Sequence, residues 1–221
     1  MKLYKYLPLP YAERMLCRGE ILFRSLSYFR DIENDGVRQD DLEGILSHRP
    51  PEGLEITDIT SGETFRLPHR FEAEALVDQI FVACFSTELS KDLASEFGAD
   101  ACVEITSDVK LVARVRGALR LRAAVDKKVL PFGLVEYRTG EEPPIVDWAL
   151  PEKIVMLKRI EYQWQKEFRM AFAVGDAFAV ENVSLRLQLG KQSDTSTRQQ
   201  YPQHLLKLGD MRKFGRLHLF S

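Results

Sequence analysis

The chain is poor in the residues and runs from which many functions can be read directly. Its 221 residues include three cysteines and four histidines. Cys17, Cys84 and Cys102 are far apart with no Cys-x-x-Cys pair, and His48, His69, His204 and His218 are scattered. Such spacing argues against a zinc site and against a disulfide framework. Reduced thiols buried among apolar neighbours, in a cytosolic protein, are the expectation. No apolar run approaches the length of a membrane span, so no membrane partner is expected. Met1-Lys2-Leu3-Tyr4 runs straight into a strand-like pattern without the features of a secretory leader. Neither sign of charge is in excess: the net charge is −2, so any pull on nucleic acid must be local. A glycine-rich phosphate loop before Lys-Ser/Thr is missing, which sets aside P-loop and Rossmann enzymes. Ser86 lacks the glycine-flanked elbow of the α/β-hydrolases.

What is present is an alternation of strand patterns with short helices, and no low-complexity linker divides them. One α+β domain follows, built on a single mixed or split β-sheet with peripheral helices. Leu3–Leu7 and Ile21–Phe23 read as strands flanking a helix that Pro8 and Pro10 start and Gly19 stops. The acidic run from Asp31 to Glu43 has carboxylates without calcium-loop spacing, so no metal is assigned to it. Residues 47–69 read as an insertion or flap, with Leu54–Thr57 and Thr64–Leu67 as an exposed hairpin. Phe71–Asp78 reads as a helix, and Gln79–Phe85 and Ala101–Ile105 as buried strands. Lys91–Glu96 reads as a short helix, and Thr106-Ser107-Asp108 caps a longer one. Val129–Arg138 then reads as one long strand and Asp147–Arg159 as a helix in part or whole. Gln165–Val174 and Asn182–Gln188 follow as strands, Gln192–Gln200 as loose polar chain, and Gly215–Phe220 as a last edge strand.

Two segments could carry chemistry. From Gln165 onward, Gln165, Glu167 and Arg169 alternate with Phe168, Met170 and Phe172. In a strand this sets an amide, a carboxylate and a guanidinium along one face, with Trp164 beside them. The second segment, 110–128, carries Lys110, Arg114, Arg116, Arg120, Arg122, Lys127 and Lys128 against Asp126. On a helix Arg116 would lie near Arg120 while Lys110 and Arg114 share another face; Lys110, Arg114, Arg116, Arg120 and Arg122 are the candidate nucleic-acid contacts, each salt-sensitive. No aromatic platform interleaves them.

Leu3-Tyr-Lys-Tyr6, Ala83-Cys-Phe-Ser86 and Tyr162-x-Trp-x-x-Glu167 with Arg169 look like a widespread bacterial domain of unknown function. That family is marked by a Cys-Phe-Ser strand end and a strand bearing Glu and Arg. Gln165 and Phe29-Arg-Asp-Ile32 depart from its usual residues. More remotely, the order Lys5, Ser86-Thr87, Gln165-x-Glu167 resembles ADP-ribosyltransferases, whose first-strand residue is otherwise Arg or His; Glu88 replaces the last Ser of their Ser-Thr-Ser. The resemblance implies an ADP-ribosyltransferase-like fold and an enzyme using NAD as co-substrate, a toxin or defence factor. Glu167 would be the catalytic carboxylate and Gln165 would sit at the acceptor side. Lys5, Tyr6, Arg24, Ser25, Tyr28, Phe29, Ser86, Thr87 and Trp164 would bind the cofactor. Among these, Arg24 would meet the pyrophosphate and Tyr28, Phe29 or Trp164 would stack on nicotinamide. The acceptor would be a macromolecule, nucleic acid or protein. The competing expectation is a non-catalytic nucleic-acid- or protein-binding module using the basic 110–128 segment.

Overall fold

Alternating burial in the first residues makes β1 (Leu3–Leu7), and Pro8 and Pro10 open α1 (Leu9–Arg18). Gly19 closes that helix in the left-handed conformation (φ 65°) and feeds β2 (Glu20–Ser25), followed by α2 (Leu26–Asp31). The computed structural model describes residues 1–31, 40–142, 150–188 and 200–220. The acidic positions within 32–39, the start of the helix expected from Asp147, and 192–199 of the polar segment lie outside the described residues.

A minor group of strands comes next: β3 (Ile45–His48), β4 (Leu54–Thr57), β5 (Thr64–Leu67) and β6 (Arg70–Glu74). β4 and β5 form the expected hairpin. The helix expected over Phe71–Asp78 is instead the strand β6, flanked by β3 and by the later β13 (Ser184–Gln188). Phe-Glu-Ala-Glu-Ala satisfies period two as well as helix propensity, and having a strand on either side decides in favour of the sheet. Ser90 then caps α3 (Lys91–Glu96) after β7 (Ile80–Ser86), and Ser107 caps α4 (Asp108–Arg120) after β8 (Ala101–Ile105).

The long strand expected over Val129–Arg138 is two: β9 (Phe132–Leu134) and β10 (Glu136–Arg138), which pair with different partners. Of the helix expected up to Arg159, the described part is one turn, α5 (Pro151–Ile154), followed by β11 (Leu157–Arg159), parallel to β10. A 3₁₀ turn over Ile160–Gln165 and a left-handed Lys166 (φ 46°) precede β12 (Glu167–Ala173). The central strand thus starts two residues later than its alternation suggests. β14 (Gln203–Lys207) and β15 (Gly215–Leu219) complete the chain.

Eight strands form the main sheet, in the order β14-β2-β7-β1-β8-β15, with β12 on β7 and β9 on β12. All of its pairs are antiparallel. On one face, Phe168, Met170 and Phe172 pack with Phe23, Phe81 and Phe85 beneath α1 and α4. The rings of Phe81 and Phe172 stack at 5.3 Å. Each such side chain contributes about 1.5–3 kcal/mol by burial, so this layer fixes the register of β12 on β7. The other face carries Ile80, Val82, Ala171 and Ala173, packed with Leu46 and Ala73 of the minor sheet and with Ile154 and Val155. Tyr4, Tyr6 and Cys102 pack there against α3. Cys102 is buried, whereas Cys17 is exposed, at odds with the expectation that all three thiols are buried: Cys17 sits on the outer side of α1, away from Ala12, Met15 and Leu16. Among the described residues no helix is long and apolar enough to cross a membrane.

Candidate functional site: a cleft where the sheet divides

β7 is paired along its whole length with β12 on one side, from Ile80 with Ala173 to Ser86 with Glu167. On the other side two strands share it. β2 meets it at Phe81 and Val82, and β1 meets it at Ser86. Ala83, Cys84 and Phe85 have no strand partner there among the described residues, and the sheet divides. Lys5 reaches into this break and donates to the Cys84 carbonyl oxygen at 2.7 Å. Its ammonium supplies a bond of the kind a neighbouring strand would give. The break opens into a cleft of about 540 Å³, within the range of small-molecule sites.

Glu167 lies in this cleft with little access to solvent. Its Oε1 accepts from Arg169 Nε at 2.7 Å and its Oε2 from Lys158 Nζ at 3.2 Å. Lys158 also donates to Gln165 Oε1 at 2.7 Å, and Tyr137 Oη accepts from the Glu167 amide at 2.8 Å. Arg169 is shared: Nη1 donates to Glu43 Oε1 at 2.5 Å and Nη2 to Glu43 Oε2 at 3.2 Å. Burial alone would raise the Glu167 carboxyl, but the charges of Arg169 and Lys158 outweigh it and hold it well below the usual carboxylate range. Glu43, competing for the same guanidinium, is pushed up by burial. Burial, helped by Glu167, pushes the Cys84 thiol up to about 12, so it is no nucleophile at neutral pH.

The structure brings together Lys5, Tyr6, Arg24, Tyr28, Phe29, Ser86, Gln165 and Glu167 as lining of one cleft. Gln165 reaches it from the 3₁₀ turn and not from the strand face, because Lys166 bends the chain between it and Glu167. Arg24 lies over the Tyr28 ring at 3.9 Å, and Tyr28 meets Phe29 edge-on. Tyr6 is pinned, donating to the Glu88 carbonyl oxygen and accepting from the Ser90 amide, each at 2.8 Å. Three expected residues are not in the lining. Ser25 is fully buried and hydrogen-bonds Ser27 at 2.8 Å, since its place in β2 turns it to the face of Phe23 and Phe81. Thr87 donates its hydroxyl to the Lys166 carbonyl oxygen at 3.2 Å. Trp164 sits behind the lining residue Phe97, their ring centres 5.7 Å apart.

The basic segment is one helix only as far as Arg120. Lys110, Arg116 and Arg120 are exposed on it. Arg114 instead donates to the carbonyl oxygens of Leu208 and Asp210, at 3.2 and 2.6 Å. Arg122 donates to that of Leu205 at 2.8 Å. Those two guanidinium groups tie α4 and the turn after it to β14 and the segment that follows it.

Sequence reasoning passed over Lys158, Glu43 and Tyr137. Glu43 stood in the acidic run, yet Asp40 and Asp41 pair with Arg159, each at 2.8 Å, while Glu43 turns inward to Arg169. No group of three or more His, Cys, Asp or Glu side chains among the described residues is arranged to hold a metal. The one available signal was Lys158, a cation in an apolar stretch nine residues before Glu167. No family model, no curated protein and no solved structure matches this chain.

Proposed function

We propose that the protein is an ADP-ribosyltransferase-like enzyme that takes NAD into the cleft at the break in the sheet and uses Glu167 on the reacting ribose. The observation that carries this reading is a buried carboxylate, held ionised at neutral pH, inside a cleft with aromatic and guanidinium groups on its walls. In the reaction the bond between ribose C1′ and the nicotinamide nitrogen breaks, and nicotinamide leaves with the electron pair. The acceptor nucleophile, on a protein or nucleic acid, or water in hydrolysis, then bonds to C1′ and loses its proton.

The surroundings of Glu167 weight its role towards positioning. Lys158 and Arg169 are offset by Glu167 and Glu43, so the net field of this group on a cationic ribose is small. A carboxylate has about four lone-pair sites, and Arg169, Lys158 and the Cys84 thiol take at most three of them, which leaves acceptor capacity for a ribose hydroxyl. Holding the ribose by that bond is an orientation effect, sensitive to displacements of about 1 Å at a cost of about 10²-fold in rate. Tyr28 and Phe29 supply ring faces for nicotinamide or adenine, and Arg24 a guanidinium for the pyrophosphate.

The test combines ligand-dependent melting with release of nicotinamide from NAD. NAD is expected to raise the melting temperature of the wild-type protein. Glu167→Asp keeps a negative charge beside Lys158 and Arg169 but withdraws the carboxylate by one methylene. It should keep the thermal shift and lose about 10²-fold in nicotinamide release. Absence of both a thermal shift and nicotinamide release in the wild type would overturn the reading; full activity in Glu167→Asp would remove Glu167 from it.

A further inference from the structure

We infer that the preferred dinucleotide carries a phosphomonoester in addition to its pyrophosphate, as in the 2′-phosphorylated form, NADP. The inference rests on the dinucleotide reading of the cleft and concerns the charges left over once the intramolecular pairs are assigned. Lys5, Arg14, Arg24, Lys158 and Arg169 line the cleft, with Glu20 and Glu167 as its carboxylates. Lys158 and Arg169 are matched by Glu167 and Glu43. Lys5 donates to the Cys84 carbonyl oxygen, and Glu20 faces Arg18 at 3.9 Å. Arg14 and Arg24 remain, with neither a carboxylate nor a hydrogen-bond partner among the described residues.

Each lies over a tyrosine ring, closely in one case and more loosely in the other. Arg24 lies over the Tyr28 ring at 3.9 Å and Arg14 over the Tyr11 ring at 5.7 Å. At Arg24 this contact occupies the flat face of the guanidinium and leaves its edge, with five N–H donors, for a bidentate partner, while Arg14 stands within cation–π range of Tyr11 with its N–H donors likewise unpaired among the described residues. Phosphate is one of the two oxyanions, with carboxylate, that such an edge matches bidentately. The two groups stand on different elements, Arg24 near the end of β2 and Arg14 on α1, and both line the cleft. One pyrophosphate matches Arg24 and its aromatic neighbours. A second guanidinium on another element, unpaired among the described residues, calls for a second anionic group, and a phosphomonoester brings about −1.5 to −2 charges at pH 7.

The test is isothermal titration of the full-length protein with NAD and with NADP, at low and at high salt, in the wild type and in Arg14→Ala and Arg24→Ala. Arg14 is on an exposed helix surface, so its truncation should leave the fold intact, which a melting curve without ligand verifies. The wild type is expected to bind NADP about ten-fold more tightly than NAD, with the preference shrinking as salt screens the phosphate. Arg14→Ala should bring NADP down to the level of NAD and leave NAD unchanged, while Arg24→Ala should weaken both. Equal affinities in the wild type, or equal weakening of both ligands in Arg14→Ala, overturns the inference. NAD binding with nicotinamide release but no NADP preference sinks the inference alone. An Arg14-dependent NADP preference without nicotinamide release from either ligand sinks the enzymatic reading and keeps the inference. Binding of neither dinucleotide removes both.

Discussion

Replacing Glu167 by Gln keeps the shape of the side chain and removes its charge, and the geometry says what that costs. Glu167 is 4 % exposed, Lys158 7 % and Arg169 1 %. Arg169 would keep Glu43, at 2.5 Å, but Lys158 would lose its nearest carboxylate and keep the Gln165 amide oxygen. Breaking one side of a buried ion pair costs about 3–5 kcal/mol, chiefly because the remaining charge stays out of water. For a chain of this length, that is a fall in melting temperature of roughly 6–20 °C. A second variant separates lost charge from lost packing: Glu167→Met with Lys158→Met removes both members of the pair and leaves Arg169 with Glu43. It should recover most of the loss, since apolar replacement of a whole buried pair is often neutral or better. Scanning fluorimetry and urea midpoints on the wild type, the single and the double variant are the assay. A single variant within about 1 °C of the wild type, or a double variant no better than the single, would refute the reasoning. The same figures explain why loss of activity in Glu167→Gln says little by itself, and why Glu167→Asp is the better probe of chemistry.

Acid should act through the same group. The Glu167 carboxyl is depressed in the fold, so the stability it contributes is present above the unfolded value of about 4.3 and is lost as pH falls below it. Between about pH 5 and pH 3 the wild type should therefore lose more melting temperature than the Glu167→Met, Lys158→Met variant; parallel losses would mean that Glu167 carries none of the dependence. Two glycine-to-alanine substitutions should act with opposite signs. At Gly19 (φ 65°) an added Cβ would lie 2.5 Å from the Gly209 carbonyl oxygen, so Gly19→Ala should destabilise by roughly 1–3 kcal/mol. Gly117, within α4, has nothing within 4 Å of such a Cβ. Gly117→Ala should stabilise by roughly 0.5–1 kcal/mol in urea denaturation, and a destabilised protein would contradict this.

Local chemistry was legible in the sequence where one rule acted alone. Pro8, Pro10 and Gly19 bracket α1, Ser90 and Ser107 cap α3 and α4, and the β4–β5 hairpin lies where its two alternating runs put it. Reading failed where two rules competed. Phe71–Ala75 fits a helix and a strand equally, and only β3 and β13, from elsewhere in the chain, decide between them. The alternation through Gln165 looked continuous because periodicity cannot register a single left-handed residue, and Lys166 is one.

The break in the sheet was illegible for a different reason. β1 and β2 each read as an ordinary strand, and nothing in either sequence states that both lie against the same edge of β7 with three residues between their contacts. That separation needs Lys5 to satisfy the Cys84 carbonyl oxygen at the break, an interaction spanning 79 positions. The floor of the cleft depends likewise on Glu43, 126 positions from the guanidinium it holds. Glu167 is therefore poor evidence of function as a residue type and stronger evidence as a placement. A carboxylate on a buried strand costs stability unless cations are supplied, and here Lys158 and Arg169 are both supplied. Two buried cations for one carboxylate then need Glu43 to balance them, which is the fourth charge of the group. An apolar core at this place would be simpler to build. On the proposed reading the polar floor serves a polar ligand in the cleft above it, and the guanidinium groups of Arg14 and Arg24, unpaired among the described residues, would give that ligand its sign.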